Sequence, residues 1–231
     1  MALGGGPPGA APAVRRAVFG APGFEAAIAW AAGLLAAGWV VAYPTETFYA
    51  LGARCDLAEA VGRVYALKGR GAEKALPVIA GSPEAARLLA REWPEAAEIL
   101  AALFWPGPLT LVLRASGRVC RRLTAETGTL AIRVSPHPVA RALAQAAGGC
   151  VVSTSANPSG GAPARRVEDI APGVLAGLSG ALDGGETPGG FPSTIVDVTV
   201  TPPRIVRPGA VSEDDLRRAL GESPAKVSRT P

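Results

Sequence analysis

Short apolar runs in this chain alternate with helical patterns, and Gly or Pro closes almost every one of them. That alternation constrains the fold more than any other feature, because strands separated by helices build α/β layers rather than a sandwich or a bundle. The pattern predicts helices over residues 24–37, 56–68, 82–91, 94–104, 138–147 and 213–220. It predicts strands over 39–43, 76–80, 109–114, 130–134, 150–154, 194–200 and 204–207. Asp56, with Glu59 three residues on, is expected to cap the second helix, Ser82-Pro83 to start the third and Ser212 to cap the last. One large curved or twisted sheet with helices around it is the expected architecture; strand order does not follow from the pattern.

Residues 26–43 carry no charge and are the one stretch that resembles a membrane span. Alanine is the commonest residue among them, they contain Gly33 and Gly38, and they run into Pro44, so a buried helix followed by a buried strand explains them better. The 231 residues, 48% of them apolar, suffice for a sizeable core in one domain, expected over 14–221. The Gly/Pro/Ala-rich residues 1–13 and the similar 222–231 read as disordered tails. Cys55, Cys120 and Cys150 are odd in number and form no CxxC, which points to free, mostly buried thiols in a reducing compartment. With no convincing signal peptide at the N-terminus, a cytoplasmic protein is expected.

Several chemistries are excluded. A Ser-His-Asp triad would have to use His137, the only histidine, which stands before a Pro at a helix start with nothing nearby that resembles a nucleophile elbow, and a His/Cys zinc site fails on count and spacing. A structural role suits His137 better. No GxxxxGK[ST] and no GxGxxG after a strand occurs. What remains are polar clusters beside the apolar strands: Thr45-Glu46-Thr47, Ser153-Thr154-Ser155-Ala156-Asn157, Ser193-Thr194 and Arg207-Pro208-Gly209. Beside these stands Lys68-Gly69-Arg70-Gly71-Ala72-Glu73-Lys74, which holds two of the three lysines of a chain that otherwise takes its positive charge from arginine. A compact ammonium suits a phosphate as a point charge. Any one cluster is ordinary turn chemistry, but five of them, with cations among them, fit one crevice at strand ends. Hydroxyls, amides and cations without an acid/base pair suit an amino acid or nucleotide, and a phosphoryl reaction run by positioning and charge neutralisation.

Taken in order, Pro44-Thr45-Glu46-Thr47-Phe48-Tyr49-Ala50-Leu51-Gly52, Lys68-Gly69-Arg70, Phe104-Trp105-Pro106-Gly107-Pro108-Leu109-Thr110, Ala131-Ile132-Arg133, Ser153-Thr154-Ser155-Ala156-Asn157, Ser193-Thr194-Ile195 and Arg207-Pro208-Gly209 closely resemble the YrdC/TsaC family of threonylcarbamoyl-AMP synthases. The resemblance runs from about Phe24 to Val211 and is to the short, single-domain form. It implies a twisted, mostly mixed α/β sheet with a positively charged concave face. It also implies synthesis of threonylcarbamoyl-AMP and pyrophosphate from L-threonine, bicarbonate and ATP with Mg²⁺. The product would pass to threonylcarbamoyl-transfer proteins that modify tRNA position 37, with tRNA itself as a further contact.

Residue by residue, the resemblance implies that Thr45, Arg133, Ser153 and Ser193 bind L-threonine. It implies that Lys68, Arg70, Thr129, Ser155, Asn157 and Arg207 bind ATP, with Lys68 and Arg70 catalytic. Arg133 suits a bidentate grip on the amino-acid carboxylate. The chain departs from the family pattern at Ala50 for Gly, Gly71 for Pro, Ile79 for a threonine-contacting His and Pro163 for a Ser near ATP. A second reading is a basic RNA-binding module for tRNA or double-stranded RNA without catalysis, with Arg114, Arg118, Arg121 and Arg122 on phosphates. No aromatic residues are interleaved there for base stacking, which favours a solvated loop. A third, the carbamoyl-transfer domain of a hydrogenase-maturation protein, requires zinc-finger cysteines that do not occur.

Overall fold

The computed structural model describes residues 12–221. It opens with strand β1 (Ala13–Arg16), helix α1 (Phe24–Ala36), and the paired strands β2 (Val41–Pro44) and β3 (Tyr49–Gly52). Helix α2 (Ala58–Lys68), strand β4 (Val78–Ala80) and helices α3 (Pro83–Leu89) and α4 (Glu95–Phe104) follow. Next come β5 (Leu109–Arg114), β6 (Thr129–Arg133), α5 (Pro138–Ala146), β7 (Cys150–Val152) and β8 (Thr154–Ser155). Helix α6 (Pro172–Leu175), strands β9 (Gly180–Asp183), β10 (Thr194–Asp197) and β11 (Arg204–Arg207), and helix α7 (Glu213–Ala219) complete the order. The expected tails fall almost wholly on residues 1–11 and 222–231, outside the described residues, while Ala13, expected in a tail, opens β1.

The mixed α/β architecture stands, but its strands divide between two sheets instead of forming one. One has the order β1-β9-β2-β3-β8 and the other β11-β10-β5-β6-β4-β7. The chain passes from the second sheet to the first at a single residue, Ser153, between β7 and β8. The antiparallel register Ala50↔Ser155 and Leu51↔Thr154 runs on to a bond from Val152 N to Ala53 O, so β3 stitches the sheets together at that seam.

The uncharged stretch 26–43 is a buried helix and strand, as its residues demand. Helix α1 buries Phe24, Ala27, Ile28, Ala31, Leu34 and Leu35, and packs with α5 against β2 and β9. Each fully buried large aliphatic side chain of this kind contributes about 1.5–3 kcal/mol. No helix among the described residues is long and apolar enough to cross a membrane. A larger cluster packs α2 and α4 on the second sheet. The three cysteines are free, with Cys55 and Cys150 buried.

Ser82 and Ser212 cap α3 and α7 through their hydroxyls, which accept from Ala85 N and Asp215 N, both at 3.1 Å. Asp56 does not cap α2. Its carboxylate accepts from Arg54 Nε and Nη2 at 2.8 and 2.6 Å, and the helix starts two residues later, after Leu57. The guanidinium outcompetes the orphan backbone N–H groups because a bidentate charged pair is the stronger acceptor's partner.

Candidate active site

The polar clusters gather around the seam at Ser153. On one side, α2 ends at Lys68, and Gly69 turns the chain away in the left-handed region at φ 56°. Lys68 is only 4% exposed. Its ammonium donates to Ser155 O at 2.7 Å, Asn157 O at 2.8 Å and Asn157 Oδ1 at 3.4 Å. Burial, followed by the nearby charge of Arg70, lowers its pKa to about 8. A cleft of about 330 Å³ opens over this ammonium, lined by Lys68, Arg70, Lys74, Ser155, Asn157 and Gly160 among others. Arg70 donates to Lys74 O at 3.2 Å and to Ala75 O at 3.0 Å, holding the loop that carries both lysines.

On the other side of the seam lies an arginine cluster. Arg133 ends β6, and burial pushes its pKa down to about 10. Its guanidinium pairs with the Glu46 carboxylate, which also accepts from Ser135 Oγ. Tyr43 lies fully buried beside it and donates to Val152 O at 3.0 Å. Thr110 and Ser193 share a hydrogen bond at 2.8 Å, made possible because β10 runs parallel to β5 in the register Thr194↔Leu109. Arg207 donates to Ser193 O at 2.8 Å and to Ser193 Oγ at 3.2 Å. Its positive charge is felt by Arg133.

Most of the residues expected from sequence therefore meet. Lys68, Arg70, Ser155 and Asn157 share the cleft, and Arg133, Ser193 and Arg207 share the arginine cluster. Ser153, between them, donates its backbone N–H to Pro77 O at 2.8 Å. Thr45 is buried, and its hydroxyl is engaged in the turn, donating to Phe48 O at 2.7 Å and accepting from the Thr47 and Phe48 N–H groups. Thr129 opens β6 at the end opposite Arg133, about 13 Å along the strand at about 3.3 Å per residue. Thr129 is not among the residues that line the cleft over Lys68. Ile79, where a histidine was looked for, is fully buried and lies beside Arg133 in that register. His137 stands at the N-cap of α5 with no side-chain cap bond, and burial lowers its pKa to about 4.

Sequence reading assigned no role to Glu46, Thr110, Ser135 or Tyr43. Glu46 and Thr110 lay inside quoted motifs, but nothing local reveals that residues 46 and 133 close on each other.

The Sua5/YciO/YrdC family model, described as telomere recombination, matches residues 33–209. Threonylcarbamoyl-AMP synthase of Pyrococcus abyssi is 40% identical over 192 residues, covering 83% of this chain and 56% of the relative. That of Halorhodospira halophila is 48% identical over 160 residues, covering 64% of this chain and 83% of the relative. Among solved structures, P. abyssi Sua5 complexed with L-threonine superposes with a TM-score of 0.82 at 37% identity, over 91% of this chain and 60% of that one. The chain spans 56% of the length of two curated relatives that it matches, from P. abyssi and Bacillus subtilis.

Proposed function

Because the chain belongs to the Sua5/YciO/YrdC family, we propose that it is a nucleotidyltransferase, an L-threonylcarbamoyladenylate synthase. The reaction is L-threonine plus bicarbonate plus ATP giving threonylcarbamoyl-AMP, pyrophosphate and water. The observation that carries this reading is the pairing of two cationic sites across one seam: a lysine-lined cleft beside β8 and an arginine pair at the ends of β6 and β11. One suits the phosphates of a nucleotide and the other the carboxylate of an amino acid.

In this reading Arg133, Ser153 and Ser193 hold L-threonine, with Arg207 beside Ser193. Thr45 acts by shaping the turn that carries Glu46. Lys68 and Arg70 neutralise the triphosphate, helped by Lys74, while Ser155 and Asn157 orient it and Thr129 is assigned to the far end of the nucleotide. The threonine carbamate is already an anion, so its oxygen attacks the α-phosphorus without a base, the bond to the β-phosphate oxygen breaks, and pyrophosphate leaves. Lysine and arginine charge on the departing phosphates stabilises that step. Mg²⁺ is assigned to the nucleotide. Bound to the phosphate oxygens, it would add charge neutralisation; among the described residues no three His, Cys, Asp or Glu gather to hold a metal. The product is assigned to threonylcarbamoyl-transfer proteins acting on tRNA position 37.

Pyrophosphate release from ATP tests the reading. It should require both L-threonine and bicarbonate; release indifferent to either, or none at any Mg²⁺ concentration and pH, returns the RNA-binding alternative to the front.

A further inference from the structure

Glu46 lies in the turn between β2 and β3, and its carboxylate faces two partners, the Arg133 guanidinium and the Ser135 hydroxyl. Both members of the ion pair are largely withdrawn from solvent, with side chains 18% exposed for Glu46 and 12% for Arg133. Charges removed from water in this way require compensation. The local count is uneven, because Arg207 adds a second positive charge that Arg133 feels. Two guanidiniums thus stand against one carboxylate. Glu46 balances Arg133 in the shielded part of the cluster, while Arg207 is exposed and its charge stays open to an incoming ligand carboxylate. A carboxylate has about four acceptor positions; Glu46 accepts one hydrogen bond, from Ser135 Oγ, and pairs by charge with Arg133. A ligand that satisfies both the surplus cation and the spare acceptor positions carries a carboxylate and an ammonium on neighbouring atoms. That is the zwitterion of an α-amino acid.

We propose that Glu46 receives the α-ammonium of the amino-acid substrate while Arg133 and Arg207 hold its carboxylate, making Glu46 the residue that separates amino acids from hydroxy acids. This rests on the functional reading above and adds a specificity residue to it. An ammonium–carboxylate contact in a site shielded from water is a charged hydrogen bond, and losing it costs about tenfold or more in affinity.

The test is calorimetric titration of the full chain, in the presence of a non-hydrolysable ATP analogue, with L-threonine and with 3-hydroxybutyrate, which is threonine without its amino group. The wild type should bind L-threonine at least about tenfold more tightly than 3-hydroxybutyrate. Glu46→Gln should weaken L-threonine by a similar factor and leave 3-hydroxybutyrate within about twofold, so that discrimination collapses. Equal losses for the two ligands would show that Glu46 only positions Arg133, and would overturn the proposal. So would an unchanged affinity for L-threonine in the variant. Equal affinities in the wild type alone would do the same, even if the variant did not fold. A wild type that binds no L-threonine would overturn the functional reading together with this inference, whereas a wild type that binds it without discrimination overturns the inference alone.

Discussion

Lys68 links burial, titration and binding in one side chain. Its ammonium makes three hydrogen bonds, all to β8 and the turn after it, so truncation removes the proposed phosphate charge and strands carbonyl groups as well. Lys68→Ala should abolish turnover, with an unfolding free energy lower by about 1–3 kcal/mol, as denaturant melts would report. Its pKa, lowered to about 8 by burial and then by Arg70, sets a direction in pH. The cation is present below about pH 8 and is lost above it, so ATP affinity should fall as pH rises through 8; a flat profile to pH 9 would remove Lys68 from the nucleotide. Stability runs the other way. The folded pKa lies below the unfolded value of about 10.4, so the unfolded chain binds more protons, and this group's contribution rises from about pH 8 upward and is lost as pH falls through 8. At this scale the sequence was readable where a residue type is scarce, as with lysine, and unreadable where a role depends on a distant partner. Glu46 acquires its meaning only when the fold brings β6 beside its turn.

The elements were readable where a period is long. Helices α1, α4 and α5 and strands β5, β6 and β11 lie within a residue or two of their expected bounds. Strands β1, β3, β8 and β9 were missed; each has four residues or fewer, as does β11, which was found, so shortness alone does not account for the misses. The second sheet was missed with them, because strand pairing is a matter of topology: the chain changes sheet three times, after β3, β7 and β9. Two predictions belong here. Gly209 packs so closely that an added Cβ would lie 2.3 Å from Pro192 O and 2.5 Å from Thr194 N. Gly209→Ala should therefore push the segment bearing Ser193 away from Arg207 and raise the KM for L-threonine, with about 1–3 kcal/mol of destabilisation. Wild-type kinetics in that variant would mean the approach is not needed. Tyr43 donates to Val152 O at 3.0 Å from full burial, at the seam itself. Tyr43→Phe should lower stability by about 1–3 kcal/mol, because the carbonyl loses its donor where water does not reach; an unchanged melting midpoint would show that the seam does not depend on it.

For the whole molecule, the two sheets explain how one chain presents two cationic sites. Each site sits on strand ends of a different sheet, and β7, Ser153 and β8 carry the chain between them in six residues, Cys150 to Ser155. The order of motifs anticipated the family, which the match over residues 33–209 bears out; that the motifs converge across a seam between sheets is a property of topology and was not legible. The central claim is that these sites join L-threonine, bicarbonate and ATP into one adenylate. The most direct measurement incubates the protein with ATP, Mg²⁺, L-threonine and ¹³C-labelled bicarbonate, and follows the label by mass spectrometry. The account predicts a threonine-containing adenylate that carries the bicarbonate carbon and appears in step with pyrophosphate. Pyrophosphate without that labelled product, or an adenylate of threonine lacking the label, would contradict it.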